Sequence, residues 1–153
     1  MVGVDDRLRE LGIELPPAAR PVASYVPVTT GGGLAFVAGQ VPLEDGKPMA
    51  TGRVGESVSV EQGRELARRC ALQALAALFE ELGTLDRVRR ILKVTVWVAS
   101  GEGFVEQPKV ANGASDLLVE VFGEMGKHAR AAVSAPSLPL GAPLEDELIA
   151  EVS

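Results

Sequence analysis

Residues 128–153 read HARAAVSAPSLPLGAPLEDELIAEVS, and two polar intrusions in that stretch decide how the chain is interpreted. Arg130 stands at the mouth of a short apolar run, Ala131-Ala132-Val133. Glu145, Asp146 and Glu147 open a second run, Leu148-Ile149-Ala150, that otherwise reads as a buried strand. A cation and a carboxylate cluster at strand ends are costly to place near a core. They are also what a site needs to hold a small carboxylate and move a proton beside it. The connection from Pro136 to Pro143 is too long for a tight hairpin. The two strands therefore need not be neighbours, and one edge of a sheet can carry both Arg130 and Glu145.

Upstream of this stretch the periodicities alternate. Val110, Ala111, Ala114, Leu117, Leu118, Val121, Phe122 and Met125 recur at helical spacing, with Gly126 as the expected stop. Before them, Leu92, Val94, Val96 and Val98 alternate with Lys93, Thr95 and Trp97, which predicts a strand over 91–99 with both faces at least partly covered. Ser59 and Gln62 have capping-box spacing. They open a helix whose stripe is Ala67, Cys70, Ala71, Ala74, Leu75, Leu78, Phe79 and Leu82, closed by Gly83. Residues 43–56 read as a polar loop. Ser24–Val28 and Leu34–Ala38 read as a hairpin turned by Gly31-Gly32-Gly33, with Pro27 favouring an edge position and Gly39-Gln40-Val41-Pro42 ending the second strand. Asp5 to Leu11 reads as a short amphipathic helix closed by Gly12.

The order is thus β-β-α-β-α-β-β, an α+β arrangement with one mixed sheet and two helices packed on one face. No helix remains to cover the other face, although its strands are rich in Val, Ile and Leu. Burial against further copies of the chain is the economical solution, which predicts a homo-oligomer.

The bulk numbers narrow the function. A chain of 153 residues supports one domain with a real core. Residues 1–20 are expected to be an extension with a short helix, and 21–153 a single domain. A net charge of −6 disfavours a nucleic-acid footprint. No apolar run approaches a membrane span, and the charged N-terminus lacks a signal core, so no membrane role and a cytoplasmic location are expected. The single cysteine, Cys70, falls on an apolar helix face and reads as a core residue. With one histidine, His128, no zinc-type ligand set exists and no metal is expected. A Ser-His-Asp triad would have only His128 to use, and no G-x-S-x-G elbow is present. Gly31-Gly32-Gly33 lacks phosphate-loop spacing.

Several blocks occur in a recognisable order: Tyr25-Val26, Gly39-Gln40-Val41-Pro42, Lys93 to Val98, Ala129 to Val133 with Leu138-Pro139, and Leu144 to Ala150. In that order and spacing the chain resembles the Rid/YjgF reactive-intermediate deaminase family, from about Pro21 onward. The resemblance implies a chorismate-mutase-like α+β fold, a homotrimer, and ligand sites in the clefts between subunits. It further implies hydrolysis of 2-aminoacrylate-type enamines and imines to 2-keto acids and ammonia without a cofactor. Carried over by position, Arg130 would grip the substrate carboxylate and Glu145 would hold and activate water. Tyr25, Gly39, Gln40 and Ala132 would line the site, and Asn112 matches the family's helix asparagine.

The chain departs from the deaminase pattern at His128 (often Pro), Ala132 (often Cys), Ala38 (often Ser or Thr) and Asp146 (an apolar position). Asp146 shares a side with Leu148, Ala150 and Val152, which places it at an exposed mouth or within the site. A non-catalytic protein binding a small carboxylate metabolite is the alternative. An endoribonuclease and a chaperone-like protein fit the acidic charge and the face expected to be buried less well.

Overall fold

The computed structural model describes every residue except Met1, Pro21 and Val22, so the expected boundary at residue 21 lies outside the described residues. Helix α1 spans Val4–Leu11, and strands β1 and β2 span Val28–Gly31 and Leu34–Gln40. Two short strands, β3 (Leu43–Glu44) and β4 (Lys47–Pro48), form a small hairpin inside the expected polar loop. Helix α2 (Val60–Leu82), strand β5 (Val88–Ala99), helix α3 (Gln107–Phe122), and strands β6 (Ala129–Ala135) and β7 (Leu144–Val152) complete the order.

The main sheet runs β1-β2-β7-β5-β6, with β6 parallel to β5 and every other pair antiparallel. The fold is α+β with a mixed sheet. β6 and β7 are consecutive in sequence, yet β5 lies between them, as the long connection allowed.

Local chemistry explains the helix ends. Gln62 N–H donates to Ser59 Oγ at 3.1 Å, and Ser59 N–H donates to Gln62 Oε1 at 2.9 Å, so both halves of the capping box are present. Gly83 takes the left-handed conformation that ends α2. α3 stops at Gly123, earlier than the expected Gly126, and the chain continues as a tight 3₁₀ turn to Gly126. Met125 sits on that turn and is exposed rather than part of the core stripe, and Phe79 on α2 is also exposed.

Both long helices press one face of the sheet. Leu75, Leu78, Leu117 and Leu118 are fully buried there against Ile91, Val94, Val96, Val98 and Leu144. Gly113 lets the helices approach closely, because a Cβ there would lie 2.7 Å from the Arg64 carbonyl carbon. Arg64 pairs with Asp116 at 3.7 Å and Arg68 with Glu120 at 3.3 Å across the same crossing. A β-bulge between Ile91 and Lys93 shifts the alternation of β5, so Ile91 is buried and Leu92 is only partly so. α1 docks on this body through buried Leu8, and Asp5 accepts from Leu85 N–H at 3.0 Å. The opposite sheet face carries Phe36, Trp97 and Val133, all more than a third exposed within one chain.

Candidate functional site

Strand register places the two principal residues on opposite faces of the sheet. Arg130 is in register with buried Val94 and turns toward the helices. Glu145 is in register with exposed Trp97 and turns toward the open face. Trp97 is also in register with Val133, so Glu145 lies beyond Arg130 along the sheet as well as two strands across it. Ordinary strand spacing makes each offset roughly 10 Å. Because β6 and β7 run antiparallel, their beginnings do not share an edge, and one chain does not bring Arg130 and Glu145 together.

Two clusters result. The first is a cleft of about 1130 Å³ that includes Tyr25, Gly39, Gln40 and Glu145 in its lining. One wall comes from residues 14–20, another from β3 and the turn after it, and Leu140 adds to the rim. Tyr25 lies ahead of β1 rather than within a strand and is 55% exposed at the edge of this space. Gly39 belongs to β2 but falls in a β-bulge between Val37 and Gln40, which aims the strand at β7. Gly39 packs directly against Glu145: a Cβ there would overlap Oε1 and lie 2.9 Å from Cδ. Burial, then the charge of Glu147, raises the Glu145 carboxyl above the ordinary carboxylate range.

Helix α2 braces the cleft floor. Gln73 Nε2 donates to Val41 O at 2.8 Å and to Gln40 Oε1 at 3.4 Å, while Leu43 N–H donates to Gln73 Oε1 at 2.9 Å. Arg69 Nη2 donates to Leu43 O at 2.8 Å. Sequence patterning missed Arg69 and Gln73. They occupy one face of α2 at i,i+4 spacing, and the signal in the sequence is Gln73, a lone polar residue within the apolar stretch from Cys70 to Leu78.

The second cluster surrounds Arg130. Its Nη1 donates to Asn112 Oδ1 at 2.8 Å and to Ser115 Oγ at 3.1 Å. Ser115 Oγ lies 2.9 Å from His128 Nε2, and His128 Nδ1 lies 2.6 Å from Gly126 O. Asn112 and Ser115 stand three apart on α3 and so share a face. Ala132 occupies the same face of β6 as Arg130 and is partly buried against the core.

Asp146 belongs to neither cluster. It is in register with Gln40 and Val96, and only 3% exposed. Neither carboxyl oxygen has a hydrogen-bond partner among the described residues. Burial, then the charge of Glu145, pushes its carboxyl well above the usual range. The thiol of fully buried Cys70 is likewise raised, by burial and then by Asp146. Among the described residues no helix is long and apolar enough to cross a membrane.

An α+β subunit with one open sheet face and a bulge-built cleft defines a recognisable class. A family model described as "YjgF/chorismate_mutase-like, putative endoribonuclease" matches residues 5–152, and the chain belongs to this Rid/YjgF family. The match begins within α1, ahead of the blocks from about Pro21 onward that carry the resemblance. The chain is 46% identical to Protein TCP17 of Trypanosoma cruzi over 147 residues, covering 95% of this chain and 92% of that protein. It is similar to the crystal structure of Atu1372, a protein of unknown function from Agrobacterium tumefaciens. That match has TM-score 0.89 and 45% identity, over 98% of this chain and 93% of that one. A structure from Shewanella oneidensis described as a putative endoribonuclease matches with TM-score 0.93 and 33% identity, over 99% of this chain and all of the other.

Proposed function

We propose that this protein is a cytoplasmic hydrolytic deaminase of small enamine and imine carboxylates, working in clefts between the subunits of a homotrimer without a cofactor. The observation that carries the reading is Glu145, half-buried against Gly39 in the cleft with a raised carboxyl, on the open face where a second copy would pack. That copy would supply Arg130 and Asn112 from its own helix-facing cluster. Residues 1–20, docked through α1, extend a single domain over 21–153.

Arg130 would hold the substrate carboxylate, and the imine carbon would then face the water on Glu145. As the water oxygen bonds to that carbon, Glu145 takes a water proton and the C=N bond opens to an amine. That proton passes to nitrogen to give a carbinolamine; Glu145 would then take the hydroxyl proton and return it to nitrogen, so the C=O bond forms as the C–N bond breaks and a 2-keto acid and ammonia leave. Tyr25, Gly39, Gln40 and Ala132 would shape the site rather than exchange protons.

An endoribonuclease is less well supported. The guanidinium groups of Arg64, Arg68 and Arg69 on α2 are spent on Asp116, Glu120 and the Leu43 carbonyl, and the net charge of −6 disfavours phosphate binding. A non-catalytic carboxylate binder would keep Arg130 and Asn112 and make no use of Glu145. A coupled assay with enzymatically generated 2-aminoacrylate separates these readings. The wild type is expected to accelerate pyruvate formation, and Arg130→Ala and Glu145→Gln to lose the acceleration. Tight metabolite binding without turnover, indifferent to Glu145→Gln, would support the binder instead.

A further inference from the structure

We infer that Ser115 and His128 form a positioning relay that fixes the guanidinium of Arg130, so that a substrate carboxylate is taken side-on through Nε and Nη2. This rests on the reading of Arg130 as the carboxylate anchor.

Hydrogen-bond chemistry forces the direction of the relay. The Gly126 carbonyl can only accept, so at 2.6 Å the proton sits on His128 Nδ1. Nε2 of a neutral imidazole is then a bare acceptor. The Ser115 hydroxyl, 2.9 Å away, must donate to it. That leaves the lone pairs of Ser115 Oγ for Arg130 Nη1, which donates at 3.1 Å and also reaches Asn112 Oδ1 at 2.8 Å. Burial, with the neighbouring Arg130 charge, holds the His128 imidazole below its ordinary value and so in the neutral form this direction needs.

The consequence falls on the other edge of the guanidinium. Nη1 is committed to α3, whereas Nε and Nη2 have no hydrogen-bond partner among the described residues. A carboxylate binds a guanidinium in a two-point fork, and the Nε–Nη2 edge is the fork left open. The anchor of the relay is itself fixed by packing. A Cβ on Gly126 would lie 2.7 Å from the Leu118 carbonyl carbon, so only glycine lets the 3₁₀ turn sit this close to α3.

A nucleophilic Ser115 with His128 as base is the rival use of the same pair. Ser115 lies inside α3, where the backbone N–H groups are spent on the helix, so no oxyanion hole faces it. Its oxygen also already accepts from Arg130.

The test uses the full-length protein, with pyruvate as the carboxylate probe in titration calorimetry and 2-aminoacrylate in turnover. Ser115→Ala and His128→Phe are expected to weaken pyruvate binding and raise KM about tenfold while kcat stays within about twofold, because a uniform binding interaction is loosened. Ser115→Thr, which keeps the hydroxyl, is expected to recover most of the loss. In the unliganded wild type, ¹⁵N NMR is expected to show His128 protonated at Nδ1 and bare at Nε2. An Nε2-protonated tautomer, or unchanged binding and KM in Ser115→Ala and His128→Phe alongside a defective Arg130→Ala, would overturn the relay alone. Unchanged binding in Arg130→Ala, or no pyruvate binding by the wild type, would overturn the carboxylate anchor and the relay with it. Covalent labelling of Ser115 by a fluorophosphonate would establish the nucleophile instead.

Discussion

Arg130 and Glu145 project from opposite faces of one sheet, with β5 between their strands. A site that uses both residues therefore draws them from different copies of the chain. The helix-side cluster of Arg130 is complete in one chain, and so is the Glu145 cleft, but each is half of the proposed machinery. Under the proposed function, assembly through the open sheet face is part of the chemistry.

Gly39→Ala tests how tightly Glu145 is placed. The new methyl would displace the carboxyl while leaving an ordinary backbone conformation. A shift of about 1 Å in a catalytic group costs on the order of a hundredfold in rate. The variant is expected to keep its melting temperature within a few degrees and to lose kcat on that scale. Full activity would show that the carboxyl position is not critical.

The acid limb of the pH–rate profile reports Glu145 as a base. Its carboxyl lies above the ordinary 4.5, so activity is expected to rise with pH through a midpoint above that value. Glu147 opposes the second negative charge. Glu147→Gln is therefore expected to move the midpoint to lower pH. A limb that Glu147→Gln leaves in place would assign the titration to another group.

Asp146 should cost stability rather than supply it. Its raised carboxyl means that the folded state holds a proton the unfolded chain releases above about 3.8. Stability is then greatest below that pH and declines as pH rises toward the folded value, by about 1.4 kcal/mol per pH unit within the window. Asp146→Val removes an unpartnered buried acid from a strand, and is expected to add roughly 1–3 kcal/mol and to flatten that decline. Thermal melts from pH 4 to 8 check both, and a destabilised Asp146→Val would reveal a partner for the acid in the assembled protein.

The open face should be the assembly surface. Phe36 is 44% exposed in one chain, beside Ile149 in register on β7. Phe36→Glu would bury a charge there, which is costly without a partner. Sedimentation is expected to give a trimer for the wild type and a smaller species for the variant, with activity lost in parallel. A trimer that survives Phe36→Glu would move the interface elsewhere.

Much of this fold was legible because local chemistry and tertiary packing agree in it. The Ser59–Gln62 box, the Gly83 stop, the Gly12 stop and the alternation of Val94, Val96 and Val98 each state one answer. The uncovered face followed from counting helices. Legibility failed where pairing decides. Tyr25 reads as a strand residue, but Pro27 offers no N–H to a ladder and pairing begins only at Val28. Gly39 and Gln40 read as a break, but a bulge carries them into β2. The faces of Arg130 and Glu145 depend on the register of β5 with its two neighbours, which spacing along the chain does not encode. Asp146 was placed on the apolar side of its strand, yet only packing under α2 shows that it is buried rather than at a mouth. Ser115 carried a faint signal, three residues after Asn112, that acquired meaning once Arg130 turned toward α3.

Subunit complementation tests the shared site most directly. Arg130→Ala and Glu145→Gln trimers, each inactive, would be unfolded together and refolded as mixtures. If each site takes Arg130 from one chain and Glu145 from its neighbour, about one site in four regains both residues in an equal mixture. The account predicts 2-aminoacrylate hydrolysis at roughly a quarter of the wild-type rate, absent when either variant is refolded alone. Mixed trimers that form but remain inactive would contradict it, because they would place both residues of each site in a single chain.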